Sequence, residues 1–135
     1  MPVSTEIRVA IDRDADIVTA RQRGRDLAAQ VGFGGSDLTV IATAISEVSR
    51  NIVSYAKHGE IILQSAEQQR RRGIVIIARD DGPGIANVED AMRDGFSTAR
   101  SLGLGLPGAR RLMDDFAIES AVGKGTTVTM KKWVR

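Results

Sequence analysis

A chain of 135 residues, 42% of them apolar and 27% charged, has the length of one domain, able to bury roughly two-thirds of its unfolded surface without covalent staples. The absence of cysteine excludes a disulfide framework, a thiolate metal site and a cysteine nucleophile together, and fits a reducing, cytoplasmic setting. A net charge of +2 with only 4% aromatic residues argues against a nucleic-acid surface, and the densest basic run, Arg70-Arg71-Arg72, reads as a solvated hairpin turn. The opening stretch Met1-Pro2-Val3-Ser4-Thr5-Glu6 lacks a basic segment followed by an apolar one. Nowhere do about eighteen apolar residues run uninterrupted, so neither export nor membrane spanning is expected.

Residues 4 to 11 alternate, with Ile7, Val9 and Ile11 on one face, which predicts an edge strand. From Asp14 to Val31 the residues Ile17, Val18, Leu27, Ala28 and Val31 mix with Arg21, Arg23 and Arg25, the composition of a helix with a basic exposed face. Gly32-Phe33-Gly34-Gly35 stops it. A second helix follows, capped by Ser36 or Asp37, with Leu38, Ile41, Ile45, Val48, Ile52 and Tyr55 along one buried stripe and Lys57-His58-Gly59 as its end. Glu60 to Ala66 and Gly73 to Arg79 read as two strands joined around the basic turn, and Ile74-Val75-Ile76-Ile77-Ala78, apolar on both faces, belongs mid-sheet. Asn87 opens a short helix to about Asp94, stopped by Gly95. A third major helix starts near Leu104 and sends Ala109, Leu112 and Met113 inward. Phe116 to Ala121 and Thr126 to Trp133 are strands around the Gly123-Lys124-Gly125 turn. Helix and strand alternate too irregularly for a doubly wound parallel sheet. The order predicts a two-layer α/β (α+β) sandwich, a mostly antiparallel sheet with helices on one face.

Glu47 and Asn51, four residues apart, differ by about 40° around the second helix and share a face beside its apolar stripe. A carboxylate there can accept a proton from an attacking hydroxyl, and the Asn51 carboxamide oxygen suits Mg²⁺. On its own the pair reads better as a solvated Glu and Asn, and it gains weight from the motifs that follow. In Asp80-Asp81-Gly82-Pro83-Gly84 an aspartate stands where a central strand opens into a loop, able to accept the exocyclic amine of adenine, while Gly82 and Gly84 let the backbone approach a ligand. The same residues make an ordinary turn. Gly103-Leu104-Gly105-Leu106, opening a helix, offers unpaired N–H groups to phosphates or simply loosens a helix start. Gly123-Lys124-Gly125-Thr126 is a hairpin turn whose Thr126 hydroxyl can reach back toward Asp80. The phosphate-loop spacing and the common protein-kinase signatures are absent. The sole histidine, His58, reads as a helix C-terminal residue, and zinc has too few ligands.

In order and spacing these motifs resemble the GHKL superfamily of ATP-binding folds, which includes gyrase, the Hsp90 chaperone, MutL and the histidine kinases. Glu47-x-x-x-Asn51 is similar to its N box and the three glycine motifs to its glycine boxes. The stretches Thr43-Ala44-Ile45-Ser46-Glu47, Arg50-Asn51-Ile52, Asp94-Gly95-Phe96-Ser97-Thr98, Gly105-Leu106-Pro107-Gly108, Arg111-Leu112-Met113-Asp114 and Lys132-Trp133-Val134-Arg135 extend the likeness over essentially the whole chain. They resemble the stressosome switch kinases, the RsbT family. The resemblance implies a GHKL (Bergerat) ATP-binding kinase domain over residues 1–135 and a serine/threonine kinase of a partner-switching system. Such a kinase uses ATP and Mg²⁺ to phosphorylate a STAS-domain scaffold antagonist and its sensor co-antagonist. Once released, it activates an output protein such as a PP2C-type phosphatase. By position Glu47 is then the general base, Asn51 the Mg²⁺ ligand and Asp80 the adenine acceptor. Gly82, Gly84, Gly103, Leu104, Gly105, Leu106, Gly125 and Thr126 line the pocket, Phe96 to Leu102 forms the ATP lid with Arg100 toward the γ-phosphate, and Arg21 is a partner contact. Two other readings share the nucleotide motifs: an anti-sigma factor that sequesters a sigma subunit, and a non-catalytic nucleotide-sensing adaptor.

Overall fold

Alternating side chains put Val9 and Ile11 of β1 (Glu6–Ile11) inward and Arg8 and Ala10 outward. The computed structural model describes residues 6–85, 88, 92 and 105–135. Helix α1 (Asp14–Val31) starts where the Asp16 carboxylate accepts the backbone N–H groups of Asp12 at 2.8 Å and Arg13 at 3.1 Å, tying down donors that a first turn leaves unpaired. It ends at Gly32, at φ 123°, with the N–H groups of Gly32 and Phe33 both donating to the Ala28 carbonyl. Arg21, Arg23 and Arg25 lie on its exposed side, as does Val18.

Helix α2 (Ser36–Asn51) follows Gly35, whose positive φ of 55° turns the chain into the helix. Ser36 and Asp37 therefore occupy the first turn instead of capping it. Ile41, Ile45, Val48 and Ile52 are buried along one stripe, but Tyr55 is 52% exposed. The cause is a π-helical turn, Ile52–Ala56, closed by the Lys57 N–H on the Ile52 carbonyl at 2.8 Å. A bond to the fifth residue back widens the turn and rotates Tyr55 off the stripe.

Strands β2 (Gly59–Gln68) and β3 (Arg71–Asp80) are longer than the sequence pattern suggests, and their turn is only Gln69-Arg70, at φ 52° and 70°. Two positive φ angles match the twist of a tight hairpin. Gly73, expected beside that turn, lies within β3 opposite Trp133, where a Cβ would stand 2.5 Å from the indole; Arg71 stacks on the same ring at 5.2 Å. Helix α3 (Gly105–Leu112) buries Leu106 and Ala109, and β4 (Asp115–Ser120) and β5 (Thr126–Trp133) complete the sheet. Of the short helix expected from Asn87 to Asp94, the described residues are Val88 and Met92, joined by the Met92 N–H on the Val88 carbonyl at 3.0 Å. Asn87, Asp94 and Gly95 lie outside the described residues.

The five strands run β1-β2-β3-β5-β4, each pair antiparallel. One face, with Val9, Ile61, Leu63, Ile76, Ala78, Val128 and Met130, packs on Ala20 and Leu27 of α1, Ile41 and Ile45 of α2 and Ala109 of α3. Each of its large aliphatic side chains contributes about 1.5–3 kcal/mol by leaving water. The opposite face carries Glu60 between Arg8 at 3.4 Å and Arg79 at 3.6 Å. This is the two-layer sandwich, with helices on one sheet face, that the element order predicts.

The last cross-strand row of the helix-covered face differs from the apolar rows behind it. It runs Ile11, Gly59, Asp80, Thr126, Ser120 by direct pairing. Two loops close over this row, residues 81–85 after β3 and 121–125 between β4 and β5, joined by the Gly123 N–H on the Pro83 carbonyl at 2.8 Å. Gly84 and Gly123 share a left-handed backbone, φ 77° and 78°, but a Cβ on Gly84 would lie 2.0 Å from the Ala121 carbonyl oxygen and one on Gly123 would meet nothing within 4 Å. Urea unfolding separates strain from crowding. Gly123→Ala is expected to cost about 1–2 kcal/mol and Gly84→Ala about 2–5 kcal/mol, and equal losses would show that the loops do not pack this closely.

Candidate functional site

Asp80 ends β3 and is only 8% exposed, so its carboxylate needs partners. Its Oδ1 accepts the Gly82 N–H at 2.9 Å and the Thr126 N–H at 3.2 Å. Oδ2 takes no part in either bond and has no partner among the described residues. Crowding explains the glycines around it. A Cβ on Gly125, at φ 78°, would lie 2.0 Å from the Asp80 carbonyl oxygen, and one on Gly82 would lie 2.5 Å from the Ala56 Cβ and 3.2 Å from Asp80 Oδ1. The chain closes on the aspartate from both sides because two positions carry no side chain.

The Thr126 hydroxyl is tied to Ser120, Oγ1 to Oγ at 2.8 Å. Ser120 Oγ also accepts the Ile85 N–H at 2.7 Å and donates to the Gly125 carbonyl at 3.0 Å. One hydroxyl thus fastens the loop after β3 to the loop before β5. Sequence reading passed over Ser120; its signal was a small polar residue at an inward position of β4, where the apolar alternation of Phe116 and Ile118 ends.

Glu47 lies on α2, one helical turn before Asn51, and is 6% exposed because α3 packs across this part of the helix. Its Oε2 accepts the Gly105 N–H at 2.9 Å and its Oε1 the Arg50 Nη1 at 3.1 Å. A carboxylate at a helix N-terminus is favoured by the aligned peptide dipoles, which explains how a carboxylate is tolerated at this depth. Arg50, three residues on and part of the stretch Arg50-Asn51-Ile52 but given no role of its own by the sequence, is the second holder of this carboxylate. Gly105 takes φ 69° to start the helix. Leu106 belongs with its side chain to the core, so only its backbone is available to a ligand.

The structure therefore gathers Asp80, Gly82, Gly84, Gly125 and Thr126 into one cluster and joins Glu47 to Gly105 in another. The π-helical turn connects them, since Ala56 lies under Gly82 and Ile52 under Gly59. Asn51 is half-buried on α2 and makes no side-chain hydrogen bond among the described residues. Gly103, Leu104, Arg100 and the Phe96 to Leu102 segment lie outside the described residues. His58 is exposed and pairs with Asp12 at 3.0 Å.

An adenine nucleotide fits this donor and acceptor set. The Asp80 oxygen that no described residue engages suits an exocyclic amine, three glycine backbones leave room for close approach, and a helix start follows at Gly105 for negative charge. No group of three or more metal-ligating side chains exists among the described residues. Mg²⁺ chemistry does not require one, because that ion is usually held by one or two protein oxygens together with phosphates and water.

Residues 11–132 match the family model of the histidine kinase-like ATPase domain. The serine/threonine-protein kinase RsbT of Bacillus subtilis is 48% identical over 94% of this chain and 96% of its own length. The anti-sigma F factor of Geobacillus thermodenitrificans is 35% identical over 73% of this chain and 70% of its own. Among solved structures, the RsbU and RsbW domains of Rv1364c from Mycobacterium tuberculosis superpose with a TM-score of 0.64 at 23% identity, covering 99% of this chain and 33% of that one, a likeness of fold. The chain belongs to the histidine kinase-like ATPase family, among the relatives of the RsbT kinase.

Proposed function

We propose that residues 1–135 act as one ATP-dependent protein serine/threonine kinase domain of a partner-switching system. The observation that carries this reading is the contact between Glu47 Oε2 and the Gly105 N–H, 2.9 Å apart. It puts a carboxylate able to take a hydroxyl proton beside the helix start suited to phosphates, on a helix whose π-helical end underlies the aspartate pocket. Adenine donates its amine to Asp80, and the phosphates run toward Gly105 and the Gly103-Leu104 backbone. Asn51 supplies an oxygen to Mg²⁺, whose charge offsets that of the transferring phosphoryl group. Glu47 removes the proton of the attacking serine or threonine. Arg100, in the lid from Phe96 to Leu102, balances charge at the γ-phosphate.

The kinase relative supports the chemistry, and its name is that of a serine/threonine-protein kinase. The substrates in this reading are STAS-domain proteins of a stressosome, a scaffold antagonist and a sensor co-antagonist, in the cytoplasm. After phosphorylating them the released kinase binds and activates an output enzyme such as a PP2C-type phosphatase, with Arg21 on the exposed side of α1 among the partner contacts. No helix among the described residues is long and apolar enough to cross a membrane.

A second reading is favoured by the anti-sigma F relatives, 32–35% identical to this chain: a kinase that also sequesters a sigma subunit. Pull-down against sigma factors and STAS proteins separates the two, and stable capture of a sigma subunit would replace the first reading. Transfer itself is tested with labelled ATP and a STAS partner. Glu47→Gln, which keeps an acceptor for the Gly105 N–H, is expected to lower phosphate transfer at least about 100-fold with nucleotide affinity within about threefold of the parent. Undiminished labelling would remove Glu47 as the base. Asp80→Asn is expected to weaken ATP binding by about 10-fold or more in calorimetric titration, because an amide can turn a donor toward the adenine amine. Equal affinity would place adenine elsewhere.

A further inference from the structure

The hydrogen-bond count at Ser120 fixes which way the Thr126 hydroxyl points. Ser120 Oγ has one proton and three partners: the Ile85 N–H at 2.7 Å, the Gly125 carbonyl at 3.0 Å and Thr126 Oγ1 at 2.8 Å. The Ile85 N–H can only donate and the Gly125 carbonyl can only accept. The serine proton therefore goes to Gly125, and Thr126 must donate its own proton to Ser120. Any other arrangement leaves the Gly125 carbonyl without this donor in a residue that is itself buried. With its proton committed, Thr126 Oγ1 offers only lone pairs to the space it borders.

The neighbouring group has the same polarity. Asp80 Oδ1 is taken by the N–H groups of Gly82 and Thr126, and Oδ2, a second acceptor, has no partner among the described residues. Asp80 and Thr126 are direct cross-strand partners, as are Thr126 and Ser120, so the acceptors and the residue that orients one of them stand in one row. We infer that Ser120 is a positioning residue for nucleobase selection, holding Thr126 as an acceptor so that the pocket takes a purine with a 6-amino group and rejects one with a 6-oxo group. A 6-amino group brings two N–H donors, whereas a 6-oxo group would bring an oxygen against two acceptor oxygens with no proton between them. The inference rests on the nucleotide reading given above. It assigns a role to a residue that would not touch the nucleotide itself.

Without Ser120 the threonine hydroxyl is free to rotate and donate to a 6-oxo group. The experiment titrates the full chain with ATP and with ITP, which differ at the purine 6-position, in the presence of Mg²⁺, and reads the ratio of the two dissociation constants. Ser120→Ala is expected to lower the preference for ATP by about three- to tenfold, and Ser120→Thr, which keeps a hydroxyl, is expected to restore it to within about twofold of the parent. In a Thr126→Val background Ser120→Ala is expected to leave the ratio where Thr126→Val alone sets it, because there is no longer a hydroxyl to orient. A general loosening of the loops would weaken both nucleotides together and leave the ratio unmoved, which overturns the inference. So does an equal change of ratio in the presence and absence of the Thr126 hydroxyl. Should Ser120→Ala fail to fold, Thr126→Val alone decides: an unchanged ratio overturns the inference and a fall of about three- to tenfold supports it. A parent chain that binds neither nucleotide removes the nucleotide reading and this inference together, whereas ATP binding with an unmoved ratio removes only the inference.

Discussion

Two backbone N–H groups, one from the loop after β3 and one from the start of β5, converge on one oxygen of a nearly buried aspartate, and the polar end of the sheet depends on that convergence. Asp80 cannot remain so deeply covered without partners, and the Gly82 and Thr126 N–H groups supply them at 2.9 and 3.2 Å. For both to arrive, the chain must turn back over the aspartate at Gly82 and again at Gly125, where a Cβ would meet Ala56 or the Asp80 carbonyl. The glycines are thus a steric consequence of satisfying a buried carboxylate. What remains, a carboxylate oxygen with no partner among the described residues, is the kind of polar group that fixes the orientation of a ligand.

Helix α2 links this floor to the second cluster. Its early turns lie in the core through Ile41 and Ile45, Glu47 meets the start of α3, and its π-helical end supports Gly59 and Gly82 through Ile52 and Ala56. The candidate base and the floor of the aspartate pocket are therefore set by one packed element, which suits a reaction that needs its groups held to within a fraction of an ångström. Packing fixes the placement of Glu47 as well. Arg50 and the Gly105 N–H hold its two oxygens, so anything that draws the helix start of α3 toward a phosphate acts directly on this carboxylate.

Much of this architecture was legible from pattern alone, and the exceptions have local causes. The apolar run Ile74 to Ala78 placed β3 in mid-sheet, where it lies between β2 and β5 with Ile74, Ile76 and Ala78 buried under the helices and Val75 and Ile77 half-buried on the other face, and the three- and four-residue spacing from Ile41 to Ile52 marked the buried side of α2. Tyr55 broke the stripe since a periodicity of 3.6 residues does not anticipate a π-helical turn. Gly73 opens the strand in the sequence pattern but is the third residue of β3, where it makes room for Trp133, a contact invisible before the register of β3 and β5 is known. At the site, the glycine motifs announced themselves by composition. Ser120 and Arg50 did not, because their importance lies in whom they bond across 35 residues of chain or one helical turn. Family membership through residues 11–132 agrees with the resemblance read from those motifs.

In the proposed ATP site the row Gly59, Asp80, Thr126, Ser120 forms the base-binding end and Glu47 with Gly105 the phosphate end. A crystal structure of the chain with Mg²⁺ and a non-hydrolysable ATP analogue tests this arrangement most directly. The account predicts the exocyclic amine of adenine within hydrogen-bond distance of Asp80 Oδ2 and the phosphates at the start of α3. Adenine bound away from that row, or phosphates distant from Gly105, would contradict it.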